Sequence, residues 1–230
     1  MSAVTYRGQN RKAGNAPKTL LERPLSRCMV IMLFLGLLVL PASIPFRVVL
    51  LAGGALVWTW LEARNLKPIG LGRKRPGLTL LWGVGIAVAV TAFGEIVQPV
   101  IERAFGMQSD YSGYGALAGN AEAALRLLAF ALVSAAIGEE ILFRGFLLHQ
   151  LSGVLGDGSA ARWITIVTGG VIFGLAHAIQ GPLGVLNTGL VGIIFGWAWF
   201  RSGRNLWALI LAHALVDTYG IGMLYLGRYA

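Results

Sequence analysis

The sequence predicts an all-α protein, a polytopic transmembrane helical bundle with about seven spans, within a range of six to eight. Of its 230 residues, 56% are hydrophobic and only 13% are charged, and the mean hydropathy is +0.70. Soluble domains usually carry about 25% charged residues, so this composition indicates an integral membrane protein. Apolar runs recur along the chain and are separated by short polar or glycine-rich segments. These observations together define the fold class.

Each helix follows from one apolar run. Residues 1–27 are polar and basic, and we expect a disordered cytoplasmic tail ahead of one transmembrane domain at residues 28–230. A spanning helix needs about 20 apolar residues. The runs predict spans at residues 28–46, 48–61, 78–101, 121–148, 162–180, 183–200 and 206–226. Pro41 and Pro45 end the first span early, and the second run is short. The two therefore form a tight hairpin with Arg47 near its tip, or the second run is re-entrant.

Basic residues predict the orientation of the bundle. The tail, the connector at residues 64–75 and the turn at residues 201–204 hold most of the lysines and arginines. Cytoplasmic loops carry an excess of these residues, so the three segments and the N-terminus are predicted to be cytoplasmic. The compact, loop-poor chain is expected to lie in a bacterial inner membrane. The net charge of +9 therefore indicates topology and contact with the lipid bilayer, and it predicts no nucleic-acid partner.

Three short segments inside the predicted spans are distinguished by their ionisable side chains. They are Glu139, Glu140 and Arg144, then His177, and finally His213 and Asp217. A charged side chain at the centre of a bilayer costs roughly 2.5–3.5 kcal/mol on insertion scales, so residues of this kind usually have a function. Glutamate and histidine together can activate a water molecule. The three segments therefore predict a hydrolytic site.

Helical spacing assigns these residues to different faces. Glu140 and Arg144 are four residues apart, so they share a face and can pair. Consecutive helical residues point about 100° apart, which leaves Glu139 on another face without a cation nearby in the sequence. An unpaired carboxylate in a dry site suits a general base. His213 and Asp217 are also four residues apart, and the carboxylate can fix the tautomer of the imidazole.

Two chemistries remain open from these residues alone. In the first, Glu139 and His177 hold and deprotonate a water, while His213 and Asp217 stabilise the oxyanion. In the second, some of these four side chains bind Zn²⁺, which lowers the pKa of its bound water. The sequence has no His-Glu-x-x-His motif for the metal. Phe173 lies one turn before His177 and is expected to line the pocket that contains His177.

Three motifs occur in order along the chain: Glu-Glu-x-x-x-Arg from Glu139, Phe-x-x-x-His ending at His177, and His-x-x-x-Asp from His213. Together they resemble the CPBP family, which comprises CAAX prenyl endopeptidases and bacteriocin-processing proteins and is also called Abi. The resemblance covers residues 121–219, which would form the catalytic core. It implies an intramembrane endopeptidase that hydrolyses a peptide bond near the membrane. The implied substrate is a peptide or membrane protein, with or without a prenyl group.

The resemblance also implies roles for single residues. Glu139 would activate the water, His177 would help to hold it, and His213 with Asp217 would bind the oxyanion. The supporting residues would be Glu140, Arg144 and Phe173. The last motif of the family commonly ends in Asn, where this chain has Asp217. We favour a metal-free mechanism, with Zn²⁺ on Glu139, His177 and His213 as the alternative.

Two other functions compete with the peptidase. One is a catalytically silent immunity or binding protein on the same scaffold, and the other is a small proton-coupled transporter that uses the buried carboxylates as a relay. The intact set of Glu139, His177 and His213 favours the peptidase over the silent protein. A transporter is expected to show an internal repeat, which the sequence lacks. The predicted spans place Glu139 in the cytoplasmic half and His177 near the outer end, so the site requires an offset between their helices.

Overall fold

The computed structural model describes residues 19–40, 46–108 and 110–228. Within these ranges it contains seven long helices, which we number α1 to α7. They are α1 Pro24–Val39, α2 Arg47–Ala63, α3 Pro76–Phe105, α4 Ala121–Leu155, α5 Ser159–Ala176, α6 Gly181–Arg201 and α7 Leu206–Tyr225. Short 3₁₀ turns occur at Leu20–Glu22, Ser112–Tyr114 and Ala178–Gln180. The described residues include no strand, so the predicted all-α class and the seven helices are confirmed.

Most of these helices can cross a bilayer. Helices α3 to α7 are long and apolar enough to do so, and α1 is a shorter apolar helix. The protein is therefore an integral membrane protein. Helices α1 and α2 have 16 and 17 residues. Arg47 begins α2, and its guanidinium donates a hydrogen bond of 2.7 Å to the carbonyl of Leu38, one of the free carbonyls at the end of α1.

The predicted N-terminal tail is only partly described. Residues 1–18, and residues 41–45 with Pro41 and Pro45, lie outside the described ranges. Helical structure starts earlier than the predicted boundary at residue 28, because a 3₁₀ turn begins at Leu20 and α1 begins at Pro24. Proline suits the first position of a helix, where its missing N–H would have had no partner. The basic residue Arg27 thus belongs to α1.

Helix α4 forms the centre of the bundle. Residues 140–148 are all buried, as expected for a helix surrounded by other helices. The segment Leu132–Leu147 is π-helical, and the N–H of Leu148 bonds to the carbonyl of Phe143 five residues earlier. Such wider turns occur frequently at functional sites. The π-helical segment contains both Glu139 and Glu140.

Helices α5 and α6 pack closely through glycines. A Cβ atom added at Gly170 of α5 would lie 2.9 Å from the carbonyl oxygen of Gly189 in α6. One added at Gly192 of α6 would lie 2.9 Å from the Cα of Gly170. Small residues at such positions let two transmembrane backbones approach each other. This packing fixes the end of α5, and with it the position of His177.

Replacing Gly170 with Ala is expected to destabilise the fold by about 1–3 kcal/mol, because the new methyl group overlaps the α6 backbone. Gly85 of α3 offers a matched control, since no described heavy atom lies within 4 Å of a Cβ added there. The Gly85→Ala variant should be as stable as the wild type or more so, by up to about 1 kcal/mol. Unfolding of both variants in a denaturing detergent measures the difference. Equal stability of the two variants would show that the close approach of α5 and α6 is unimportant.

Candidate active site

The carboxylates and imidazoles of the three motifs come together at the π-helical segment of α4, the end of α5 and the middle of α7. His177 is the residue directly after α5 and not an interior residue, and its N–H bonds to the carbonyl of Gly174 at 2.9 Å. Helix α4 runs on to Leu155, beyond the predicted end at residue 148. Glu139 lies 16 residues before Leu155, and His177 lies 18 residues after Ser159. At 1.5 Å per residue both lie about 24–27 Å from the turn that joins the two helices.

The side chains of Glu139 and His177 face each other. Glu139 Oε2 lies 4.0 Å from His177 Nε2, and the two side chains are 15% and 20% exposed. His177 Nδ1 lies 2.8 Å from the carbonyl oxygen of Phe173. A carbonyl can only accept, so Nδ1 carries the proton and donates it. In the neutral ring, Nε2 therefore presents a lone pair towards Glu139.

Glu140 joins two partners in the buried interior. Its Oε1 lies 3.0 Å from Arg144 Nη1 and accepts a hydrogen bond of 2.8 Å from His213 Nδ1. The pair of Glu140 and Arg144 agrees with the four-residue spacing, and both side chains are almost completely buried, at 0% and 3% exposed. The contact with His213 was not predicted, because the two residues are 73 positions apart. Glu140 thus fixes the tautomer and the position of His213.

Arg144 lies between two aromatic rings. Its guanidinium carbon is 3.9 Å from the ring centroid of Phe173 and 4.9 Å from that of Phe195. Cation–π contacts of this kind stabilise a desolvated guanidinium. The ring centroids of Phe195 and His213 are 5.7 Å apart. The sequence did not indicate Phe195 as part of the site, because a single phenylalanine in an apolar helix resembles an ordinary core residue. Phe173 connects the two halves of the site, since its carbonyl holds His177 and its ring covers Arg144.

Asp217 completes the site on α7. Its Oδ1 lies 3.6 Å from His213 Nε2, which confirms that the two residues share a helix face. This distance is longer than a hydrogen bond. The other oxygen of Asp217, Oδ2, is buried and has no hydrogen-bond partner among the residues that the structure describes. A buried polar atom without a hydrogen-bond partner is uncommon in a folded protein.

A loop between α3 and α4 contacts the 3₁₀ turn that follows His177. In its 3₁₀ turn, the Tyr114 hydroxyl accepts a hydrogen bond of 2.7 Å from Gln180 Nε2. The N–H of Gln180 in turn donates to the carbonyl of His177 at 2.9 Å. Burial raises the pKa of Tyr114, and the carboxylates of Glu139 and Asp217 raise it further, against a lowering by the Gln180 hydrogen bond. Sequence reasoning missed Tyr114 and Gln180 because neither belongs to a motif.

Replacing Tyr114 with Phe is expected to lower the stability of the protein by about 1–3 kcal/mol, because the largely buried Gln180 amide loses its acceptor. Tyr225→Phe is a suitable control, since the Tyr225 hydroxyl has no hydrogen bond to a described residue and its side chain is exposed. Thermal unfolding of the two variants provides the comparison. Identical melting temperatures would contradict the role of Tyr114 in holding the turn after His177.

A second buried polar cluster lies at the other end of α4. The Glu62 carboxylate of α2 pairs with Arg27 of α1. It accepts a hydrogen bond of 2.8 Å from Gln150 Nε2, and its Oε1 lies 3.2 Å from His149 Nε2. Arg27 also donates to Gln150 Oε1 at 2.9 Å. His149 is therefore a packed, hydrogen-bonded histidine. The cluster joins α1, α2 and α4 and contributes no side chain to the site at Glu139.

The alternative zinc site does not match this arrangement. Among the described residues, no group of three or more His, Cys, Asp or Glu side chains is placed to hold a metal ion. The residues proposed as zinc ligands, Glu139, His177 and His213, therefore do not form a metal-ligand set.

Comparison with known proteins gives a family match. Residues 121–219 match the family described as type II CAAX prenyl endopeptidase Rce1-like. No curated protein and no solved structure matches the chain. The matched residues begin with α4 and end within α7, and they include the residues that carry the earlier resemblance. Residues 121–219, which hold all the carboxylates and imidazoles of the site, are therefore similar to the Rce1-like family of type II CAAX prenyl endopeptidases.

Proposed function

We propose that the protein is an intramembrane endopeptidase that hydrolyses a peptide bond near the membrane with a water activated by Glu139 and His177. The family match supports a peptidase of the CAAX type in general. The geometric support is the separation of 4.0 Å between Glu139 Oε2 and His177 Nε2, in a site where both side chains are partly exposed. Partial exposure leaves room for a substrate, which the fully buried Glu140 does not have.

A water between these two groups would be both held and activated. The distance of 4.0 Å is too long for a direct hydrogen bond. A water oxygen beside the line between the two atoms can lie at about 2.8–3.0 Å from each, the ordinary hydrogen-bond distance. Both groups are acceptors, because His177 donates through Nδ1 to Phe173. They would accept hydrogen bonds from the two O–H groups of the water, so that an oxygen lone pair points towards the scissile carbonyl.

The reaction then follows general acid–base chemistry. Glu139 takes a proton as the water oxygen forms its bond to the carbonyl carbon, and the carbonyl oxygen becomes an oxyanion. When the tetrahedral intermediate collapses, the carbon–nitrogen bond breaks and the Glu139 carboxylic acid returns the proton to the leaving amine. The products are one carboxylic acid and one amine, and Glu139 is again ionised.

His213 and Asp217 would stabilise the oxyanion. In its imidazolium form, His213 donates a hydrogen bond from Nδ1–H to Glu140 and offers Nε2–H as a second donor. Asp217 Oδ2 can donate a hydrogen bond when the carboxyl group is protonated. A protonated Asp217 would then act as a donor, as the amide of the usual Asn does. Donors placed where negative charge develops are often the largest contribution to catalysis. In this proposal Glu140, Arg144 and Phe173 position the catalytic groups and do not touch the substrate.

The substrate and location extend the proposal. We propose a peptide or membrane-protein substrate that reaches the site from the bilayer, with or without a prenyl group. We further propose a bacterial inner membrane location with a cytoplasmic N-terminus, on the basis of the basic connectors at residues 64–75 and 201–204.

Peptide cleavage by purified protein tests the function. Wild type should cleave a suitable prenylated or unprenylated peptide, whereas Glu139→Ala and His177→Ala should be slower by about 10²-fold or more. A metal chelator such as EDTA or 1,10-phenanthroline should leave wild-type cleavage unchanged. Equal cleavage by the variants would contradict the site, and inhibition by chelator would contradict the metal-free mechanism. A folded wild-type protein that cleaves none of the peptides would favour the silent binding protein.

A further inference from the structure

A cavity of about 600 Å³ lies between the start of α5 and the end of α6. The residues of its wall that matter here are Arg162, Trp163, Ile166, Trp197, Phe200 and Arg201. His177 follows the opposite end of α5, so the cavity is separate from the candidate active site. The peptidase mechanism uses none of these residues.

The cavity carries positive charge. Arg162 and Arg201 are both exposed, and neither forms an ion pair with a residue that the structure describes. The acid in the cavity wall, Asp157, already pairs with Arg204 at 3.0 Å. Two guanidinium groups therefore face the cavity without a neutralising carboxylate. A guanidinium matches the geometry of a phosphate group and can bind it through two hydrogen bonds.

The rest of the wall is aromatic and apolar. Trp163 and Trp197 are 51% and 41% exposed, and Ile166 is buried in the wall at 3%. Tryptophan is enriched where membrane-spanning helices meet the headgroup region. A cavity whose wall combines basic side chains with aromatic and apolar ones is complementary to an amphiphile with an anionic head.

The surroundings of the cavity are also basic. Lys74 Nζ donates to the carbonyl of Gly203 at 2.8 Å, which holds the connector at residues 64–75 against the turn after α6. The lysines and arginines of that connector therefore lie on the same side of the bundle as Arg201. A basic side of this kind attracts anionic lipids.

We propose that this cavity binds the headgroup phosphate of an anionic phospholipid, with Arg162 and Arg201 on the phosphate oxygens and the two tryptophans beside the upper acyl chains. The proposal is independent of the proposed peptidase function. It assigns a lipid site that includes Arg162, which lies about 22 Å along α5 from His177 at 1.5 Å per residue.

Lipid binding by the full chain in detergent tests this site. Native mass spectrometry would compare phosphatidylglycerol, phosphatidylcholine and inorganic phosphate as ligands. The variant Arg162→Gln/Arg201→Gln should bind phosphatidylglycerol about ten- to thirtyfold more weakly than wild type. The control Arg103→Gln/Arg126→Gln removes the same charge from exposed positions at the other end of the bundle and should bind like wild type.

Three outcomes would overturn the proposal. They are unchanged binding of phosphatidylglycerol by Arg162→Gln/Arg201→Gln, equal binding of phosphatidylcholine and phosphatidylglycerol by wild type, and full displacement of the lipid by inorganic phosphate. If the double variant fails to fold, Arg162→Gln and Arg201→Gln measured singly decide the question. Peptide cleavage without added lipid should be the same in the double variant and the wild type, so a failure here is distinguishable from a failure of the peptidase proposal.

Discussion

Replacing Glu139 with Gln is expected to slow peptide hydrolysis by about 10²–10⁴-fold, because the amide cannot take a proton from the attacking water. The same change should leave the stability of the fold almost unaltered. Glu139 is partly exposed, and its partner in the structure is His177 at 4.0 Å, beyond hydrogen-bond distance. The amide has nearly the shape of the carboxylate, so loss of activity without loss of stability would indicate a chemical role.

The measurement is kcat for a cleavable peptide together with a melting temperature in the same detergent. Glu122→Gln is a matched control on the same helix, since the Glu122 side chain is 75% exposed and pairs with Arg126 at the surface. It should keep wild-type kcat and stability. Wild-type kcat in Glu139→Gln, or a large fall in its melting temperature, would refute the assignment of Glu139 as the base.

Replacing the next residue, Glu140, with Ala should instead destabilise the protein by about 3–5 kcal/mol, the usual cost of leaving one charge of a buried pair without its partner. The charge left behind is Arg144, which is 3% exposed. His213 loses the acceptor of its Nδ1 proton at the same time. Activity is expected to fall as well, since His213 is no longer held in one tautomer.

Unfolding in a denaturing detergent measures this loss of stability. The double variant Glu140→Ala/Arg144→Met removes both charges and should regain much of the stability, because replacing a whole buried ion pair by apolar groups is often neutral. Its activity should remain low. If Glu140→Ala is as stable as Glu139→Gln, the buried contacts of Glu140 do not hold the site together.

The length of α4 shows why part of the fold could not be predicted. The seven helices follow from apolar runs, but the sequence places the end of the fourth run at residue 148, before the polar residues His149 and Gln150. In the structure α4 continues to Leu155. The two polar residues stay helical because Arg27 of α1 and Glu62 of α2 supply their hydrogen bonds. Partners so distant along the chain have no local pattern in the sequence.

The site, like the fold, could be predicted only in part from the sequence. The four-residue spacing predicts the pair of Glu140 and Arg144 and the shared face of His213 and Asp217, since helical geometry alone fixes both. The contact of Glu140 with His213 depends on how α4 and α7 pack, which no spacing reveals. Spacing also does not reveal that His177 lies at the end of a helix. The mechanism requires an offset between α4 and α5, and this offset arises because α4 is longer than the sequence predicts.

The joint action of Glu139 and His177 on one water is the central claim, and a double-mutant cycle tests it most directly. It compares kcat/KM for peptide cleavage by wild type, Glu139→Gln, His177→Ala and the double variant. Groups that act as a unit are strongly non-additive, so the double variant should be about as slow as the slower single variant. If the two losses instead multiply, each residue acts independently, and the shared-water mechanism is wrong.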